Sequence, residues 1–313
     1  GSTFKIVTAS AAIEEGAFGP ADPVDASAGV WRYGSRAVRE AKGHNYGVLS
    51  FSDVIVKSSN VGAIKVGLTL GAEKLNRYVR RFGFGERIFR RDLPGETPGM
   101  LADSSRWNVG TIASISMGYE IGVTPLQMAA AVSAVANGGS YMQPRIVRAL
   151  RRGAARTEVT PVELRRAIRA ETAAELVTIM EAVVEHGTGK AARLPGYSVA
   201  GKTGTAQMQV DGRYSDTDYH TSFVGFLPAR QPALTILVLV DAPHAGRHYG
   251  GDVAAPIFHN IAAAAVRLLG IAPVVDPAAP VLVRAWAAPD DALVPAANRG
   301  ARPRVDVVAG PPA

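Results

Sequence analysis

The feature that most constrains this chain is a change of hydrophobic period late in its length. Residues 197–207, 221–227 and 234–241 read as three successive strands joined by turn-rich segments. Leu234 to Val240 is almost continuously apolar, the pattern of a strand buried on both faces. The regular stretches before that block repeat at helical spacing. Residues 2–15 predict a helix that Gly16 ends, and 17–47 read as an irregular Gly-, Pro- and Asp-rich excursion. Residues 49–70 are helical again but interrupted at Ser58-Ser59-Asn60, and 76–82 form a shorter helical stretch closed by Gly83 and Gly85. Thr124-Pro125 supplies an N-cap and a first-turn proline for a helix running to Ala136. Thr172 and Glu175 match a capping box that opens a helix reaching about His186. A last helix is predicted over 253–269. Helices first and strands after predict an α+β fold, an all-helical subdomain beside a sheet that helices flank.

Composition narrows the function classes. The chain carries a net charge of +7, which suits nucleic acid, an anionic membrane or an acidic polymer such as cell wall. Its basic residues are scattered, without a dense run interleaved with aromatics, so nucleic acid is disfavoured. No cysteine is present, which excludes disulfides, thiol catalysis and cysteine-held metals. No apolar run reaches the ~18 residues of a membrane span.

Three short segments can carry chemistry. Ser2 and Lys5 stand at i and i+3, neighbours on one face of a helix, where a lysine of lowered pKa can serve a serine as base. Ser58 and Asn60 offer a hydroxyl and a carboxamide able to relay a proton and orient an amine. Within a predicted strand, Lys202 precedes Thr203, Gly204 and Thr205; the two threonines share a face, and Gly204 leaves space on the other. Each segment alone has a plain reading as a helix start, a polar turn or a Thr-rich strand. The lysines add weight. Only seven of the 34 basic residues are lysine, and three of those, Lys5, Lys57 and Lys202, lie in or beside these segments. Lysine can release its proton where arginine cannot, so proton transfer is a reason to keep it there.

Taken in order, Ser-x-x-Lys, Ser-x-Asn and Lys-Thr-Gly resemble the signature of penicillin-binding proteins and serine β-lactamases. Gly83-Phe-Gly85, Asp92-Leu-Pro-Gly-Glu96, Gly118-Tyr119, Thr124-Pro-Leu-Gln127 and Ala136-Asn-Gly-Gly139 are similar to stretches of the class B, septal-type enzymes. So are Gly187-Thr-Gly189, Ala200 to Gln207, Ser222 to Phe226, Tyr249-Gly-Gly251 and Ala254-Ala-Pro256. The resemblance covers about residues 1–272. It implies a transpeptidase fold built on an antiparallel sheet, and cross-linking of peptidoglycan stem peptides through a serine acyl-enzyme. Ser2 is then the nucleophile and Lys5 its base. Ser58 and Lys202 pass a proton to the departing D-alanine, and Asn60 orients Lys5 and the substrate amide. Thr203, Gly204 and Thr205 bind the substrate, the two threonines through its terminal carboxylate, with the Ser2 and Thr205 N–H groups as oxyanion donors. No metal or cofactor is implied. The implied partners are stem peptides, β-lactams, a glycosyltransferase and other cell-division membrane proteins.

The resemblance also implies that a membrane anchor, a pedestal domain and the first sheet strands precede Ser2 in relatives. The expectation is therefore a transpeptidase domain over 1–271, truncated at its N-terminus, on the outer side of the bacterial inner membrane. Leu234–Val240 would then have a bare edge, and the chain alone would be unstable or poorly active. Residues 272–313 are Pro- and Ala-rich and predict a structureless tail. Two other readings stay open: a related acyl-serine hydrolase (a D,D-carboxypeptidase or a β-lactamase), and a non-catalytic β-lactam sensor or scaffold. His244 and His248 read as loop residues. Gly187 to Lys190 fails as a phosphate loop because Ala191 follows it.

Overall fold

The computed structural model describes residues 1–89, 93–244 and 246–273, together with the backbone of two short strands, Val281–Arg284 and Val305–Val308. Seven helices carry the described part: α1 Lys5–Glu14, α2 Phe51–Val56, α3 Asn60–Arg81, α4 Val109–Met117, α5 Pro125–Ala136, α6 Ala170–Glu185 and α7 Ala254–Leu268. The main sheet has three antiparallel strands, Ala200–Val210, Arg213–Leu227 and Leu234–Asp241, with the second in the middle. Its two faces alternate with period two. Phe223, Ile236 and Val238 pack toward α7, while Val224 and Phe226 join the core shared with the helices. The α+β reading stands.

Several local expectations hold for the reasons that prompted them. Thr124 caps α5 by accepting from the Gln127 N–H at 3.1 Å, and Gln127 Oε1 accepts from the Thr124 N–H at 2.8 Å. The interruption at Ser58-Ser59-Asn60 separates α2 from α3, whose first residue is Asn60. The shorter stretch over 76–82 is the end of α3, which Gly71 breaks with a φ of 76°.

Other expectations are corrected. The box at Thr172 does not form: α6 begins two residues earlier, at Ala170, and its acceptor comes from α1. Glu14 Oε2 accepts from the Arg169 N–H at 2.9 Å and from the Thr172 hydroxyl at 2.5 Å. The excursion over 17–47 contains an antiparallel hairpin, Val30–Tyr33 with Arg36–Arg39, and a strand, Pro23–Asp25, that pairs with Val48–Ser50. Leu234–Asp241 is only partly buried; Leu239 is exposed, and among the described residues no strand pairs with its outer edge. The middle strand starts at Arg213, well before Thr221, because an Asp211-Gly212 turn with both residues at positive φ extends the hairpin. Helix α4 was not foreseen, although Asn108 caps it by accepting from the Thr111 N–H at 3.0 Å. The predicted structureless tail lies outside the described residues, except for 272–273 and the antiparallel pair Val281–Arg284 with Val305–Val308, two valine-rich segments of high strand propensity.

Candidate active site

Ser2 opens a 3-10 turn, Ser2–Phe4, that runs into α1, so Lys5 becomes the first residue of the α-helix. The edge strand Ala200–Val210 crosses the start of this helix at Gly204. A methyl group at Gly204 would sit 2.3 Å from Ser222 Oγ and 3.0 Å from Thr3 Cγ2. Glycine is needed there for the strand to approach α1 so closely. Behind it, Gly250 is equally confined, with Gly204 O and Ser222 O both 2.4 Å from where its methyl would lie.

Three segments far apart in the chain meet at one hydroxyl. Lys202 Nζ donates to Ser58 Oγ at 2.8 Å and to its neighbour's carbonyl, Thr203 O, at 3.1 Å. Lys5 Nζ donates to Asn60 Oδ1 at 2.8 Å and to Ser58 O at 2.7 Å, with Ser58 Oγ a longer 3.4 Å away. Ser58 itself has a φ of 59°, a left-handed conformation that is strained outside glycine. Such strain persists where the surroundings fix it, and it gathers at functional sites.

Both amines are fully buried, at 0% exposure. Burial pushes the Lys5 ammonium down to about 7, against an opposing pull from Glu40. Lys202 lies well below the usual lysine range, first through burial and then through the positive charge of Lys5. Lys5 can therefore hold and release a proton near neutrality, which an exposed lysine cannot do.

The amines sit beneath the floor of a cavity of about 360 Å³, and hydroxyls line its surface. Ser2, Ser58, Asn60, Thr203 and Thr205 all face it. Thr203 Oγ1 is 2.7 Å from Thr188 Oγ1, and Thr205 Oγ1 accepts from the Gly250 N–H at 3.0 Å. Lys57 also reaches the cavity wall but belongs to another environment: it pairs with Asp53 at 3.1 Å and is exposed. Its place beside the motif therefore does not mark a proton carrier, a correction to the lysine argument.

Residues 1–263 match the family described as the penicillin binding protein transpeptidase domain. The chain belongs to that family.

Among curated relatives, "Stage V sporulation protein D" of Bacillus subtilis is 37% identical over 87% of this chain and 43% of its own length. Penicillin-binding protein PbpB of Mycolicibacterium smegmatis is 36% identical over 91% of this chain and 45% of its own. The chain thus spans less than half the length of these curated relatives. Among solved structures, penicillin-binding protein 3 of Mycobacterium tuberculosis complexed with aztreonam is similar with a TM-score of 0.79 at 35% identity, covering 88% of this chain and 63% of that one. The transpeptidase domain of penicillin-binding protein 3 from Burkholderia pseudomallei gives 0.78 at 32% identity, covering 88% and 81%.

Within this transpeptidase domain, all eight residues singled out from sequence lie in one neighbourhood. Reading the sequence missed others. Thr188, in the Gly187-Thr-Gly189 stretch, reaches Thr203 from the end of α6. Tyr219 stacks on His248 with ring centroids 4.3 Å apart, and Lys42 Nζ lies 4.4 Å above the Tyr249 ring, so aromatic groups form the far wall. Glu40 was missed as well. Among the described residues, no helix is long and apolar enough to cross a membrane.

Proposed function

We propose that this chain is the catalytic domain of a peptidoglycan D,D-transpeptidase acting through Ser2. The observation that carries the proposal is the Ser58 hydroxyl held by Lys202, with Lys5 beside it, under the cavity that Ser2 faces. A serine needs a nearby base to attack an amide, and a buried amine neutral near pH 7 is such a base. Ser2 Oγ attacks the carbonyl between the two terminal D-alanines, and Lys5 takes its proton. The amide N–H groups of Ser2 and Thr205 stabilise the oxyanion, at ~3 kcal/mol per donor. Lys202 and Ser58 deliver a proton to the departing D-alanine nitrogen as the C–N bond breaks, leaving an ester on Ser2. An amine from a neighbouring strand then attacks that ester, forms the cross-link and restores the hydroxyl. Thr203 and Thr205 bind the terminal carboxylate, and Gly204 lets the backbone come close.

A β-lactam places a strained amide where the D-alanyl bond would lie, and relatives solved with aztreonam and ampicillin support that reading. We further propose a septal role, outside the cell membrane beside a glycosyltransferase and other division proteins, on the resemblance described above. The test is a stem peptide ending in D-Ala-D-Ala, incubated with an amine acceptor and the chain. Cross-linked product and free D-alanine are expected from the wild type and neither from Ser2→Ala. Equal product from both proteins would refute the assignment, and trimmed peptide without cross-link would mark a hydrolase.

A further inference from the structure

Glu40 stands at the end of the surface hairpin, yet it is 4% exposed. A buried carboxylate is costly unless its lone pairs are satisfied. Here they are, by the start of one helix. Glu40 Oε1 accepts from the Ser59 hydroxyl at 2.5 Å and the Val61 N–H at 3.1 Å, and Oε2 accepts from the Asn60 N–H at 2.7 Å. Ser59 Oγ in turn accepts from the Gly62 N–H at 2.9 Å. The first three amides of α3 are thereby closed, with a negative charge at the positive end of the helix dipole. The residue before Glu40 completes the arrangement. Arg39 O accepts from Asn60 Nδ2 at 3.0 Å, which leaves Asn60 Oδ1 turned to Lys5.

We infer that Glu40 is a positioning residue of the acylation machinery: it holds the Ser58–Asn60 turn in place beside Lys5 and sets a negative charge facing that amine. The inference rests on the reading of Ser2 and Lys5 given above. Two observations make it more than a helix cap. The turn that Glu40 anchors carries the strained Ser58 backbone, which needs an external hold. Glu40 also opposes the effect of burial on Lys5 and so raises the share of that amine that is protonated. The other titratable groups facing Lys5 are Lys202 from the edge strand and the Gly1 amino group, which burial pushes down to about 5. Tyr46 faces Glu40, whose charge adds to burial in pushing that phenol up. Removing the Glu40 charge takes away the pull that opposes burial at Lys5. Its neutral form then appears at lower pH.

Glu40→Gln and Glu40→Asp in the intact chain test this with two readouts. The first is the titration of Lys5 followed by NMR in lysine-labelled protein, where seven lysines keep the spectrum assignable. The second is the rate of β-lactam acylation against pH. Glu40→Gln is expected to move the Lys5 midpoint down, carry the acid limb of the rate profile with it, and slow acylation ~10-fold or more. Glu40→Asp keeps the charge but shortens the reach, so the midpoint stays near the wild type while the rate falls. A purely structural cap would lower stability and leave the Lys5 midpoint of a folded Glu40→Gln unmoved, and that result overturns the inference. Should Glu40→Gln not fold, Glu40→Asp and Ser59→Ala decide: wild-type acylation in both also overturns it. If the wild type forms no adduct at all, the reading of Ser2 fails, and the Lys5 midpoint still reports whether Glu40 governs that amine.

Discussion

Lys57 and Lys202 both border the Ser58 turn, and they have opposite chemistry. Lys57 lies on the solvent side, one residue before Ser58 in sequence, and finds Asp53 one helical turn back at 3.1 Å. Lys65 does the same across the surface with Asp25 at 3.0 Å. On the inner side, among the described residues, Lys5 and Lys202 have no carboxylate in hydrogen-bond contact; their partners are hydroxyls, carbonyls and one amide oxygen. Water and a counter-ion stabilise the outer amines as cations. Burial makes the inner ones reluctant to be cations. Nearness to a motif in sequence therefore does not fix what an amine can do; the side of the turn it occupies does.

Substitutions on the two sides should separate by orders of magnitude. Lys5→Met removes the base without changing the length of the side chain much. Its β-lactam acylation, read by intact mass, should fall ~10³-fold while the protein stays folded. Lys202→Met should cost less, ~10²-fold, because Lys202 acts through Ser58. Comparable losses from Lys57→Ala would erase the distinction drawn here.

The same contrast appears in stability against pH. Lys5 has a folded-state pKa depressed to about 7, below its unfolded value. Between those two values the unfolded chain binds more protons than the folded one, so stability should rise with pH from about 7 upward and lie flat below. Urea unfolding of wild type and Lys5→Met across that window checks the sign: the variant should lose part of the rise. The smallest effect belongs to the surface pair. Lys57→Ala should change stability by ~0.5 kcal/mol or less, and less again in high salt.

How much of this was legible depended on how far apart the interacting groups lie in sequence. The cap of α5 was legible because Thr124 and Gln127 satisfy each other within one turn. The cap of α3 has the same hydroxyl start, Ser59, but its second partner is Glu40, nineteen residues earlier. No periodicity joins those positions, and the carboxylate looks like any surface acid in a loop. Thr172 failed for the same reason: Glu14, far upstream, displaced the local partner that the spacing suggested. The extended hairpin beyond Gln207 and the cap at Asn108 did have local signals, an Asp-Gly turn and an asparagine three residues before Thr111, and could have been read. The three chemical segments were legible as residue types in order. Their convergence on Ser58 is a property of the fold.

The central claim is that these segments turn the Ser2 hydroxyl into a nucleophile. Its most direct measurement is proteolytic mapping of the adduct formed when the chain meets a β-lactam, with wild type beside Ser2→Ala. The account predicts one acyl group per chain, on the peptide containing Ser2, and none in the variant. An adduct on any other residue, or one that persists in Ser2→Ala, would contradict it.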